Sequence, residues 1–375
     1  MEKNSNRLQF LDCLRFLAAL SVIIQHVFER SSAQFGWISS NYFQFGVFGV
    51  SLFFITSGFI IPVSIEKHQS IKKFAISRIY RLYPLFLASL ILKTALILNG
   101  NIHGVDPNFM VILANVTMLA KFIGQPLIEM SYWTLNLEMA FYIIVAVLFK
   151  LNMLQHSVKL ALIALFGNLS IGVIAIHFLH LFNGGMLLTY YLATMFVGTV
   201  YYRNMKGLVS NKTLSLTIIF SLFVLFTNAY LTFGDHPSNP KLFGGDSFWP
   251  VVNAIALAYL LFTLGFIFRS KSYPRILTHF GTISYSLYLN QGIIIRLVMP
   301  AIASAMLSSI AAIAVTFFIS NYTYKFIELP FINRSRRIIK RMGQQEESSA
   351  ASTDTGNILN TEPNRVVTEP AEVIK

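Results

Sequence analysis

Residues 7–30 read RLQFLDCLRFLAALSVIIQHVFER. Between its flanking arginines the stretch is almost wholly apolar, and about twenty such residues carry a helix across the hydrocarbon core of a bilayer. The segment therefore reads as a membrane-spanning helix. Ionisable residues lie within it, Asp12 and Arg15 near one end and His26 near the other. Ionisable groups inside a membrane are costly, so they face a protein interior or a polar cavity and mark function. At roughly 100° per residue the step from Arg15 to His26 makes about three turns, with Asp12 within about 40° of the same line. One wall of the helix carries all three. At about 1.5 Å rise per residue, Arg15 and His26 are on the order of 16 Å apart, about half the hydrocarbon thickness. The helix thus presents a charged pair to one half of the membrane and a titratable imidazole to the other.

The composition agrees with this reading. Of 375 residues, 55% are hydrophobic and only 12% charged, where soluble domains carry roughly a quarter charged. With a mean hydropathy of +0.60, the chain is a polytopic, all-α membrane protein. Its formal net charge of +13 does not point to nucleic acid, because the basic residues gather in short loops between apolar runs, as they do in cytoplasmic loops. The single Cys13 excludes an intrachain disulfide, and no cysteine spacing suits a metal, so no metal site is expected. No small-residue cleavage site follows the first apolar run, which reads as a retained span.

Hydropathy predicts about ten spans, near 9–28, 45–65, 82–99, 131–149, 160–181, 186–202, 213–233, 248–268, 280–299 and 303–326. Lys67, Lys72, Lys73, Arg78, Arg81, Lys150, Lys159, Arg203, Lys206, Lys212, Arg269, Lys271, Arg275 and the run Arg334 to Arg341 then fall in alternate segments with the N-terminus. That asymmetry places both termini in the cytoplasm, Arg15 towards the inside and His26 towards the outside. The apolar segment NFMVILANVTMLAKFIG (108–124) is too short to span and reads as an interfacial or re-entrant helix. After Met342 aromatic residues disappear, so 1–342 forms the membrane unit and 343–375 is expected to be a disordered cytoplasmic tail. No repeat suggests inverted transporter halves.

Several polar groupings lie within the spans. In SYWTLNLEMAFYII (131–144), Thr134, Glu138 and Tyr142 share a face, and Ser131 is nearly aligned. Glu138 enters from the outer side at a depth comparable with His26. It reads either as the carboxylate that orients a histidine base or as a structural hydrogen bond between helices. Trp133 reads as an interfacial anchor or as a wall of the site. In EKHQSIKKFAISRIYRLYP (66–84), Arg78 and Arg81 share one helix side and suit an anion such as a nucleotide-like donor, or else represent ordinary inner-surface charge. Within FFITSGF (53–59), small Ser57 and Gly58 admit a thin ligand or a close helix contact. GTISYSLYLNQGIIIR (281–296) sets Ser284, Tyr288 and Gln291 on one polar stripe, lining a cavity or bonding between helices. In YKFIELPFINRSRR (324–337), Pro330 is expected to end the last span and Glu328 to pair with basic neighbours.

Taken in order, RLQFLDCLRFLAALSVIIQH, FGVSLFFITSGFII, SRIYRLYPLF, YWTLNLEMAFY, GTISYSLYL and FIELPF resemble the type 3 membrane acyltransferases over about residues 7–332. The strongest mark is Arg15 followed by ten residues and His26. The resemblance implies an integral membrane O-acyltransferase of a bacterial inner membrane. It would transfer an acetyl group from cytoplasmic acetyl-CoA to a hydroxyl of an envelope polysaccharide or lipid-linked sugar, with no bound cofactor. It makes His26 the essential histidine and Arg15 its motif partner, and gives Glu138, Trp133, Ser57, Gly58, Arg78, Arg81 and Glu328 the status of motif positions. On this reading His26 and Glu138 are catalytic, and Arg15, Arg78, Arg81, Ser57 and Gly58 hold the donor. Asp12, Trp133, Tyr142, Ser284 and Tyr288 line the substrate path. The family often reads Tyr-Leu-aromatic-His where this chain has Tyr288, Leu289, Asn290 and Gln291. No serine or cysteine elbow offers a covalent relay, so transfer in a ternary complex is expected. A transporter or flippase using the same charges for protons or cargo is the competing reading. Acceptor choice is expected to reside in outer loops 29–44, 100–130 and 234–247.

Overall fold

A computed structural model of the chain describes residues 8–177, 185–233 and 248–358. The described residues form helices and connecting turns with no strand. In order they are α1 (Gln9–Ser31), α2 (Ala33–Asn41), α3 (Phe45–His68), α4 (Ile71–Leu98), α5 (Phe109–Val116), α6 (Trp133–Lys150) and α7 (Ser157–His177). There follow α8 (Gly185–Met205), α9 (Asn211–Phe233), α10 (Phe248–Ile267), α11 (Arg275–Thr282), α12 (Ser284–Val298), α13 (Ala305–Thr323) and α14 (Leu329–Ile358). Within the described residues every expected span falls on helix, 280–299 on parts of α11 and α12, while residues 178–181 of the expected span 160–181 lie outside them; the chain is a polytopic membrane protein.

Eight helical segments among the described residues are long and apolar enough to cross a membrane, fewer than the roughly ten expected. The difference lies in α8 and α12. The first spends its length on buried tyrosines, Tyr190, Tyr191, Tyr201 and Tyr202, and on Arg203, which is 5% exposed. The second has only 15 residues, because the helix is interrupted at Ile283. Both are packed inside the bundle, where polar side chains find partners.

The centre of the bundle is α1 and α3, whose apolar windows are 67% and 72% buried, against 28% for α7. α3 packs on α1, α8 and α10, while α1 also meets α11 and α12. Glycines set these contacts: a Cβ at Gly58 would collide with the Met195 carbonyl of α8, and one at Gly281 with the Asp12 carbonyl of α1. Small residues let helix backbones approach closely in a membrane, where lipid supplies no hydrophobic force between helices. The Thr199 hydroxyl donates to the Gly58 carbonyl at 3.0 Å across the same contact. Gly58 thus seats a close helix contact, one of the two readings open to it from sequence.

Interior hydrogen bonds join the remaining helices. Asn228 on α9 donates to Asn168 on α7 at 2.6 Å, and Asn168 to Thr189 on α8 at 2.7 Å. Ser221 and Tyr259 join α9 to α10 at 2.7 Å. Arg203 is ion-paired with Glu66 and donates to Ser157 at 3.1 Å and to the Leu154 carbonyl at 3.0 Å. It is a buried tie between helices and not simply a loop charge.

The segment 108–124 forms α5 and a short 3₁₀ turn, Ala120–Ile123, neither long enough to span. At the other end the helix does not stop at Pro330. A π-helical turn, Tyr324–Glu328, leads directly into α14, and Pro330 lies just after that turn. α14 packs on α4 and runs past Met342 to Ile358, with Lys73 and Glu346 paired at 2.5 Å. The expected outer loop 234–247 and the last part of the expected tail, 359–375, lie outside the described residues.

Candidate active site

Two cavities lie along the polar wall of α1, and Tyr288 lines both. The larger, of about 330 Å³, surrounds His26. His26 is exposed although the residues flanking it are buried, because its side chain opens onto this space. Aromatic walls come from Trp133, Tyr191 and Tyr288, and polar ones from Gln25, Gln44, Ser131 and Gln291. Charged groups are Glu29 and Arg30 at the end of α1, Glu129 before α6, and Arg296 on α12. Trp133 is 9% exposed and packs against Tyr191 and Phe54 at ring distances of 5.7 and 5.9 Å. It stands on the cavity wall and does not anchor at a lipid interface.

Part of the wall of this cavity is braced by the segment between α1 and α3. Ser32 caps α2 by accepting from the Phe35 amide at 3.2 Å. Gln25 donates to Ser39 at 2.7 Å and to the Gln44 carbonyl oxygen at 3.2 Å, and its own carbonyl accepts the Gly46 amide at 3.2 Å. One glutamine thus ties α1 to α2 and α3.

The smaller cavity, of about 60 Å³, is lined by Arg15, Ser57, Arg81, Thr134, Glu138, Tyr285 and Tyr288, with Phe53, Phe54, Leu82 and Leu135. Tyr142 donates to Glu138 at 2.6 Å, and the Arg78 guanidinium lies over the Tyr142 and Phe74 rings at 5.7 and 5.6 Å. Glu328, delivered by the π-turn, is 1% exposed and accepts from Ser286. Single-turn π-bulges recur at functional sites. The charges of Arg81, Asp12, Glu138 and Glu328 all act on Arg15. The expected donor-side residues Arg15, Arg78, Arg81 and Ser57 therefore gather at one place, with Tyr142 and Glu138. Asp12 and Ser284 are buried nearby but form no part of either cavity wall.

The expected pairing of His26 with Glu138 is not formed. Glu138 lines the smaller cavity with Arg15, and the carboxylates in the wall of the His26 cavity are Glu29 and Glu129. The physical reason is the start of α6. The 3₁₀ turn Met130–Tyr132 and Glu129 are already buried beside the His26 cavity, so Glu138, more than two turns further on, lies deeper than His26.

Glu129 does not act alone. It is ion-paired with Lys93, which is 0% exposed on α4, and with Arg296 at 3.5 Å. Arg296 also donates to the His103 carbonyl at 3.0 Å. This cluster was not among the expected site residues. Its signal was available: Lys93 is a lone charge in the middle of a span, and such a charge marks a buried partner. Asn290 faces away from both cavities. It donates to Thr323 at 2.9 Å and Ser320 at 3.3 Å on α13, so the departure from the Tyr-Leu-aromatic-His pattern at this residue supports helix packing. No group of His, Cys, Asp or Glu among the described residues is arranged to hold a metal ion.

A polytopic helical bundle with an imidazole facing one cavity and an arginine cluster facing the next is the architecture to which the comparisons add a family. A family model described as an acyltransferase domain matches residues 8–325, and the chain belongs to that family. It is 26% identical over 362 residues to the peptidoglycan O-acetyltransferase OatA of Listeria monocytogenes, a match covering 85% of this chain and 55% of that protein. It is 28% identical over 152 residues to the acyltransferase MdmB of Streptomyces mycarofaciens, covering 36% of this chain and 38% of that protein. The chain thus spans about half or less of each relative's length in these matches. No solved structure matches it significantly.

Proposed function

We propose that this chain is a membrane O-acyltransferase that moves an acetyl group from cytoplasmic acetyl-CoA to a hydroxyl of a cell-envelope saccharide, in a bacterial inner membrane. The observation that carries the reading is the pair of cavities meeting at Tyr288, one holding a cationic cluster and the other an open imidazole. Arg15, Arg78 and Arg81 suit the phosphates of coenzyme A, since guanidinium groups bind phosphate oxygens in fork geometry. The acyl end would pass Ser57 and Thr134 towards Tyr288. Trp133, Tyr191 and Tyr288 offer aromatic faces to a sugar ring entering the larger cavity.

His26 would act as general base. Its neutral nitrogen takes the proton of the acceptor hydroxyl as the oxygen attacks the thioester carbon, the C–S bond breaks, and the proton passes to the departing thiolate. Glu129 would stabilise the imidazolium formed in that step, the part first assigned to Glu138. Glu138 instead would hold Tyr142 and balance Arg15. The family membership and the O-acetyltransferase relative support acyl transfer over a transporter.

The test is mass analysis of envelope glycans from cells carrying the chain, lacking it, or carrying His26→Ala at equal membrane abundance. Acetyl groups present only with the intact chain are expected. Undiminished acetylation with His26→Ala would remove His26 from the chemistry.

A further inference from the structure

Gln291 is wholly buried on α12, 0% exposed, and forms part of the His26 cavity wall. Its amide and the His26 imidazole line the same cavity, and neither Oε1 nor Nε2 closes a hydrogen bond. A buried amide left unsatisfied is costly, so native proteins keep one where it has a use. The residue cannot easily turn away. Asn290 before it is bonded to α13, and Gly292 after it leaves the space taken by the Glu129 carboxylate, which a Cβ would approach to 3.2 Å.

Of the other amides at the cavity, Gln44 Nε2 also closes no hydrogen bond, whereas Gln291 has neither amide atom satisfied. Gln25 and the Gln44 carbonyl are committed to each other, to Ser39 and to Gly46. The charged and titratable groups around the imidazole are Glu29 and Arg30 from α1, Glu129 from the segment before α6, Tyr191 from α8, and Tyr288 and Arg296 from α12. α3 contributes only Gly46, Val47 and Val50.

We propose that Gln291 is a positioning residue for His26. Its Oε1 accepts the N–H of one ring nitrogen, which fixes the neutral tautomer and leaves the lone pair of the other nitrogen directed into the cavity. Its Nε2 remains free to donate to the acceptor sugar. This rests on reading His26 as the base, but the ring geometry is measurable without any acceptor.

The chain has eight histidines. Nitrogen-15 histidine NMR of the full chain in lipid nanodiscs, with the His26 signal identified by its loss in His26→Gln, reads the tautomer directly. One fixed neutral tautomer is expected in the wild type, and exchange between the two tautomers in Gln291→Leu and in Gln291→Met, which serves should the leucine variant fail to fold. Glycan acetylation in cells should fall on the order of 10²-fold in both variants, the cost typical of a misplaced reacting group. A wild-type ring already averaged between tautomers, or a Gln291→Leu ring unchanged from wild type, would overturn the proposal. A fixed ring released by both variants, in a wild-type chain that acetylates nothing, would overturn the acyltransfer reading and leave the positioning contact standing.

Discussion

Arg15 and His26 share one helix wall, yet they serve different compartments, and the division of labour is electrostatic. Arg15 stands with Arg81, Glu138 and Glu328, whereas His26 stands with Glu129, Arg30 and Arg296. If the first group holds coenzyme A phosphates, Arg81→Ala should raise the KM for acetyl-CoA by about 10-fold or more with a smaller change in kcat, and Arg81→Lys should restore only part of it. Measured acyl-donor kinetics on reconstituted protein decide this; a KM equal to wild type would detach Arg81 from the donor. The Lys93–Glu129 pair makes a prediction about stability. Lys93→Met leaves Glu129, 5% exposed, with the longer Arg296 contact as its cationic partner and the Met130 amide at 3.1 Å as a further donor. The loss should be about 3 kcal/mol, as when one partner of a buried pair is removed. Thermal unfolding in detergent should show Lys93→Met less stable than the double variant Lys93→Met/Glu129→Gln, in which no uncompensated charge remains. The reverse order would mean that Lys93 is not needed to neutralise Glu129.

Close approach of helix backbones sets where these side chains meet. At Gly58 the α3 and α8 backbones leave no room for a side chain. Gly58→Ala should therefore push the helices apart and cost roughly 1–3 kcal/mol, the range for overpacked cores, seen as a lower unfolding temperature. Ser57→Ala, at a cavity-facing position on the same helix, should leave it nearly unchanged. Equal unfolding temperatures for Gly58→Ala and wild type would refute the contact. These packing details explain what the sequence could and could not convey. A period of 3.6 residues put Arg15 and His26 on one wall and Tyr288 and Gln291 on one stripe, and both alignments recur in the structure. Relative depth was beyond its reach. Counting from the start of the span set Glu138 level with His26, because nothing local to the sequence says that Glu129–Tyr132 is already inside the bundle. Likewise Gly58 reads equally as a ligand seat or a helix seat until α8 is placed against it.

Across the molecule, hydropathy located every span, since membrane insertion imposes length and apolarity on each helix separately. Eight helical segments among the described residues are long and apolar enough to cross by themselves, whereas α8 and α12 are sheltered by their neighbours, where burial by protein and burial by lipid look alike in composition. The topology implied by the basic loops is open to direct test: in a Cys13→Ser background, an Asn108→Cys chain should react with a membrane-impermeant maleimide in intact cells, and a Gln344→Cys chain only after permeabilisation. Labelling of Gln344→Cys in intact cells would reverse the assignment. Arg15 and His26 matter together only if donor and acceptor meet between them. Electron cryo-microscopy of the chain with a non-hydrolysable thioether analogue of acetyl-CoA tests that meeting most directly. Phosphates are expected against Arg78 and Arg81 and the acyl end at Tyr288, within reach of His26. Density for the analogue elsewhere, or an acyl end separated from His26 by packed protein, would contradict this placement.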